Sequence, residues 1–174
     1  MTTMGMVTVP TPHGAMPAYT ATPPDEGPWP GVVLVHDFTG MSHDLRSQAD
    51  WLASEGYLAI APDLYYWGTR ITCLWTIFRE IGARRGRTVD DIDAARTWLA
   101  ERQNCTGRIG VIGYCMGGAF ALLLAPGHGY SASSVNYGGC PNDAETVLAG
   151  ACPIVGSYGG RDRSPMGASA ARRL

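Results

Sequence analysis

Residues 109–118 read Ile-Gly-Val-Ile-Gly-Tyr-Cys-Met-Gly-Gly, and the fold is decided inside them. The first part carries no charge and reads as a strand covered on both faces. The second part, Gly113-Tyr114-Cys115-Met116-Gly117, has the spacing Gly-x-Cys-x-Gly. A residue at the centre of that spacing lies on a sharp turn from strand to helix, and its neighbours two away must be small. "CMGGAFALLLA" follows at once as a largely buried helix. The usual occupant of the centre is a serine, and here it is Cys115. The turn would lift the thiol to the top of a sheet, above a helix N-terminus. Free N–H groups there favour negative charge, which lowers a thiol pKa and steadies an oxyanion. The plainer alternative is a small core cysteine, with Gly113 and Gly117 only letting helix and strand approach.

Working outward, strand and helix signals alternate. "MVTVPTPHGAMPAYTATP" reads as a hairpin about Pro12-His13-Gly14. "GVVLVH", 31–36, is a buried strand, and Ser42 caps a helix whose inner stripe is Leu45, Ala49 and Leu52, stopped by Gly56. "YLAIAPDLY", 57–65, is the next strand. The segment 64–87 is less regular, with a possible helix in "ITCLWTIFREIGARR". "TVDDIDAARTWLAERQ" is a clear helix, expected to be capped by Thr88, with Val89, Ile92, Ala95 and Leu99 inward. After the central stretch come a strand at 131–139, a short helix from Pro141 to Gly150, and a strand at 152–159. Ser164 and Pro165 open a last helix that runs to Leu174 with no stop signal. The alternation predicts a single α/β domain over residues 1–174, with a mostly parallel sheet and helices on both faces.

Composition narrows the class. The chain has 174 residues, a formal net charge of −2 and no long Lys/Arg run, so nucleic acid is not an expected partner. No apolar run approaches the ~20 residues that span a bilayer, and no basic-then-apolar leader opens the chain, so a cytoplasmic setting is expected. The five cysteines, 73, 105, 115, 140 and 152, are scattered without a C-x-x-C pair, which argues against a disulfide framework and a metal site.

A catalytic elbow calls for an acid and a histidine in the chain order nucleophile, acid, histidine. Asp162, in "SYGGRD", follows the strand at 152–159, at the sheet edge where ligand sites of open α/β sheets gather; its other reading is a turn residue beside the last helix cap. No histidine follows it. His13 and His128 lie in turns and read as solvated, His43 opens a helix, and His36 ends a buried strand, where it reads as a structural group bonding the following loop. Arg70 and Arg79 fall in the irregular segment over the site, and either would suit a substrate carboxylate unless simply solvated. "YYWG", 65–68, would line the pocket or pack beneath that segment.

The segments "VLVHDFTG" (33–40), "YLAIAPDLY" (57–65), "DIDAARTWL" (91–99), "IGVIGYCMGG" (109–118) and "GGRD" (159–162) together resemble the dienelactone hydrolase family of α/β-hydrolases. The resemblance implies hydrolysis of small esters or lactones through a cysteine acyl-enzyme, without a cofactor. It places the nucleophile at Cys115 and the triad acid at Asp162. Asp37 matches an acidic residue, Glu in the best-known members, that meets the resting thiol and helps take its proton. The backbone N–H groups of Met116 and Phe38 match the oxyanion hole. The family continues past the last helix to a further strand and a Gly-His loop bearing the base, so the chain reads as a member lacking its last strand and helix. The strand at 152–158 would then be an open edge, suited to pairing with a second copy. The rivals are a non-catalytic binding protein on the same scaffold and a redox-sensing thiol.

Overall fold

The computed structural model describes residues 3–164 and 167–174. Strands β1 (Thr3–Thr11) and β2 (Gly14–Thr22) form the predicted hairpin, with Thr11 facing Gly14 across the two-residue turn. Then follow β3 (Trp29–Val35), α1 (His43–Ser54), β4 (Leu58–Pro62), α2 (Arg70–Ala83), α3 (Arg87–Ala100), β5 (Cys105–Tyr114) and α4 (Met116–Leu123). The chain closes with β6 (Ala132–Asn136), α5 (Ala144–Val147), β7 (Ile154–Ser157) and α6 (Ala168–Ala171). The expected helix start at Pro165 lies outside the described residues. The seven strands form one sheet in the order β1-β2-β4-β3-β5-β6-β7. The five from β4 to β7 run parallel, and the hairpin joins antiparallel through β2.

Side-chain alternation along the strands divides the core in two. Leu34, Ala59 and Ala61 face α1, where Leu45, Ala49, Leu52 and Ala53 cover them. Val33, Val35, Ile60, Ile109, Val111 and Val135 point to the other face, against Ile92, Leu99, Met116 and Phe120. Parallel strands buried on both sides therefore need unbroken apolar sequence, as in residues 31–36. Ser42 caps α1, its hydroxyl accepting from the Leu45 N–H at 3.2 Å.

The α3 terminus differs from expectation. Thr88 is not its cap; it is the second residue of the helix and is buried. The cap comes from another helix. Glu80 of α2 turns its carboxylate onto the terminus, accepting from the Arg87 N–H and the Thr88 N–H, each at 3.0 Å. An anion there satisfies two orphan donors and complements the positive end of α3. Gly86, at φ 140°, makes room: a Cβ there would lie 2.5 Å from the Glu80 carboxyl. Likewise Pro141 precedes α5 rather than opening it, and Asp143 is the residue before its first turn.

Candidate active site

Strand β5 delivers Cys115 into a conformation that L-residues rarely adopt, φ 55° and ψ −111°. Backbone contacts on every side hold it there. The Cys115 N–H donates to Asn136 O on β6 at 2.9 Å. A Cβ on Gly113 would stand 2.0 Å from Gly117 O, and one on Gly117 would stand 2.1 Å from Val35 O and 2.7 Å from His36 O. The first turn of α4 is thus pressed into the end of β3, and the loop leaving β3, residues 36–40, lies beside the elbow.

Three groups share that corner. Cys115 is half-buried, and burial pushes its thiol pKa up; the Met116 N–H bonded to it pulls down, and the Asp37 charge pushes up. The net direction is upward, which corrects the lowered pKa expected at a helix terminus: one N–H does not offset desolvation together with an anionic neighbour. Tyr137 completes the group. Its hydroxyl pKa is raised by burial first and then by Asp37 and Cys115. Tyr137 was missed in the sequence, although "NYGG" at the C-terminal end of a parallel strand was a usable signal.

The loop itself is tightly bonded. Asp37 Oδ1 accepts from the Thr39 N–H at 2.7 Å and from the Thr39 hydroxyl. Asp37 O accepts from His36 Nδ1 at 2.6 Å and the Gly40 N–H at 3.2 Å. Phe38 O accepts from the Tyr65 hydroxyl at 3.0 Å and Arg70 Nη2 at 2.6 Å. Phe38's ring is exposed and Met116's side chain is buried, so only their backbone groups suit a common task.

Arg70 is engaged by this loop, with its guanidinium 6.0 Å from the Tyr65 ring centre. Arg79 lies elsewhere, about 13 Å further along α2, beside the exposed Ile71, Trp75 and Phe78. The two arginines are not brought to one spot. Asp162 lies in the loop after β7, a strand two spacings, ~10 Å, from β5 in the sheet. Both of its carboxylate oxygens are taken up by Ser164, Oδ1 by the N–H at 2.8 Å and Oδ2 by the hydroxyl at 3.0 Å. His13, exposed as expected, and His128, half-buried, also bond the α3 acids Asp90 at 2.9 Å and Asp93 at 2.7 Å. His43 is exposed and contacts Ser47. His36 is fully buried on backbone partners, the structural reading of the sequence.

A mainly parallel sheet with helices on both faces and a strained nucleophile-type elbow after its central strand is the α/β-hydrolase arrangement. Within that class the chain belongs to the dienelactone hydrolase family, whose pattern matches residues 16–173. It is 30% identical over 178 residues to an Escherichia coli K12 protein named "Putative carboxymethylenebutenolidase", covering 92% of this chain and 65% of that protein. A Methylorubrum extorquens protein of the same name is 28% identical, with 91% of this chain and 60% of that protein covered. Among solved structures, the "Putative Dienelactone Hydrolase" of Klebsiella pneumoniae superposes with a TM-score of 0.82 at 27% identity, over 99% of this chain and 78% of that one. The chain thus spans 60–65% of the length of these two curated relatives. Among the described residues, no helix is long and apolar enough to cross a membrane.

Proposed function

We propose that the chain carries the acylating site of a small-ester or lactone hydrolase, with Cys115 as nucleophile. The observation that carries this reading is the strained elbow, which sets the sulfur against the Met116 N–H beside an anionic loop. In the proposed cycle, the Asp37 carboxylate takes the Sγ proton as sulfur attacks the ester carbonyl carbon. The carbonyl oxygen becomes an oxyanion held by the Met116 and Phe38 N–H groups. The C–O bond then breaks, the departing alkoxide takes up the proton, and a thioester remains on Cys115. Water must release the acid, and Asp162 is assigned to support that step after exchanging its Ser164 partner. The relatives' name, carboxymethylenebutenolidase, supports an unsaturated lactone as substrate. Pairing of two copies through β7, the outer strand with Val155 exposed, belongs to the same proposal.

The test is single-turnover acylation with p-nitrophenyl acetate. The 174-residue chain should release close to one nitrophenolate per molecule in a burst. A steady phase slower by roughly 10³-fold or more should follow, because His13 and His128 bond the α3 acids, His36 bonds backbone and His43 bonds Ser47, which leaves the water without an assigned base. Cys115→Ala should abolish the burst. A burst that survives in Cys115→Ala refutes Cys115 as the nucleophile, and a wild-type chain that gives no burst leaves a non-catalytic scaffold as the better account.

A further inference from the structure

His36 looks at first like an ordinary buried histidine. It is fully buried at the end of β3, and its ring stands edge-on to Tyr65 with centroids 4.7 Å apart. Its two nitrogens have different partners, and those partners fix its tautomer. Nε2 lies 3.1 Å from the Leu64 N–H, a group that can only donate, so Nε2 accepts. Nδ1 lies 2.6 Å from Asp37 O, a group that can only accept, so Nδ1 carries the proton. Burial, which lowers its pKa, keeps the ring neutral and this pattern intact.

The carbonyl that His36 grips shares a peptide plane with the Phe38 N–H. That peptide is trans, and in a trans peptide the C=O and N–H point in opposite directions. Fixing one therefore aims the other. Gly40 N–H adds a second bond to the same carbonyl, and Tyr65 and Arg70 pin the next one, Phe38 O. The Leu64 N–H that orients the ring belongs to the segment after β4, so two neighbouring strands' exits are locked together through one imidazole. The close approach of Gly117 to Val35 O and His36 O sets this loop against the first turn of α4.

We infer that His36 is a positioning residue: its Nδ1–H holds the Asp37 carbonyl so that the Phe38 N–H is aimed at the ester oxyanion formed over Cys115. The inference rests on the nucleophile reading above and adds to it a group that never touches the substrate. An ester and an alkylating agent separate its effect from mere folding. Acylation by p-nitrophenyl acetate builds an oxyanion; alkylation by iodoacetamide displaces iodide from a CH₂ carbon and builds none. The ratio of the two rates at Cys115 therefore reads the oxyanion donors and cancels changes in thiol access or ionisation.

In His36→Leu the ratio should fall by roughly 10- to 100-fold, approaching the cost of losing one oxyanion donor. In His36→Gln, whose amide donates through one atom and accepts through the other, it should stay within about threefold of wild type. An unchanged ratio in a folded His36→Leu chain overturns the inference and leaves the nucleophile reading standing. A wild-type chain that is alkylated but never acylated overturns that reading first. Should His36→Leu fail to fold, the ¹⁵N spectrum of the wild-type imidazole decides instead: a protonated Nδ1 and bare Nε2 are required, and the opposite tautomer sinks the clamp.

Discussion

Two turns at the C-terminal edge of the sheet present the two residues assigned opposite ends of the catalytic relay, and they are built differently. The elbow at 113–118 is held by backbone pressing on backbone. Its glycines have no Cβ because main-chain atoms already occupy the space, 2.0 Å away at Gly113 and 2.1 Å at Gly117. The turn at 159–164 adds a side chain folded onto its own loop: Asp162 bonds Ser164 twice, with main-chain contact on one side, where a Cβ on Gly167 would stand 2.3 Å from Asp162 O, and open space on another, where a Cβ on Gly160 would meet nothing within 4 Å. Main-chain contacts in a close-packed interior cannot be traded for others. Part-buried side-chain hydrogen bonds such as those of Asp162 can, at a net cost of about 1 kcal/mol each. On the proposed reading, Cys115 therefore stands in its working conformation already, whereas Asp162 would reach a working partner only by exchange.

The sharpest way to break that contrast is an added methyl group on each side. Gly117→Ala should destabilise the fold by about 3 kcal/mol or more, since no flexible side chain is there to yield. Gly160→Ala should change stability by less than about 0.5 kcal/mol. Thermal unfolding of the two variants measures both, and a Gly117→Ala chain as stable as wild type would show that the elbow is not overdetermined. A smaller effect is expected at Asp162. Asp162→Ala leaves the Ser164 N–H and hydroxyl without their acceptor and should cost about 1 kcal/mol, while the amplitude of the acylation burst stays unchanged. A collapsed burst would mean that Asp162 already acts on the thiol in the resting site.

What the sequence made legible follows the same division. Gly-x-Cys-x-Gly between an apolar run and a helix pointed to the local geometry, because steric exclusion acts over a few residues, although a small core cysteine was the other reading. The alternation of Val33, Leu34 and Val35 between two cores was readable for the same reason, as was the hairpin turn at Pro12-His13. The features misread depend on how distant elements dock. Thr88 looked like a cap, but Glu80 from another helix supplies it once α2 and α3 meet. His13 and His128 do reach solvent, but the aspartates they bond, 77 and 35 residues away, were not legible in the sequence. The upward pKa of Cys115 depends on burial and on Asp37, neither of which a motif expresses.

Asp37 offers the finest test, because its two effects on the thiol have opposite signs. As a nearby anion it disfavours the thiolate and raises the Cys115 pKa; as a base it would accept the proton during attack. Asp37→Asn keeps the Oδ1 that bonds Thr39 and removes only the charge. At a pH below the thiol pKa, the thiolate fraction should then increase, and alkylation should quicken by at most about fivefold, the equivalent of ~1 kcal/mol of exposed charge repulsion. The gain should vanish at high pH, where the thiol is ionised in both chains. Acylation near neutral pH should move the other way, slowing as the proton acceptor is lost. Two rates diverging in one variant would place the carboxylate in the reaction path. Both rates rising together would leave Asp37 as no more than a repulsive neighbour, and the thiolate would have to form without its help.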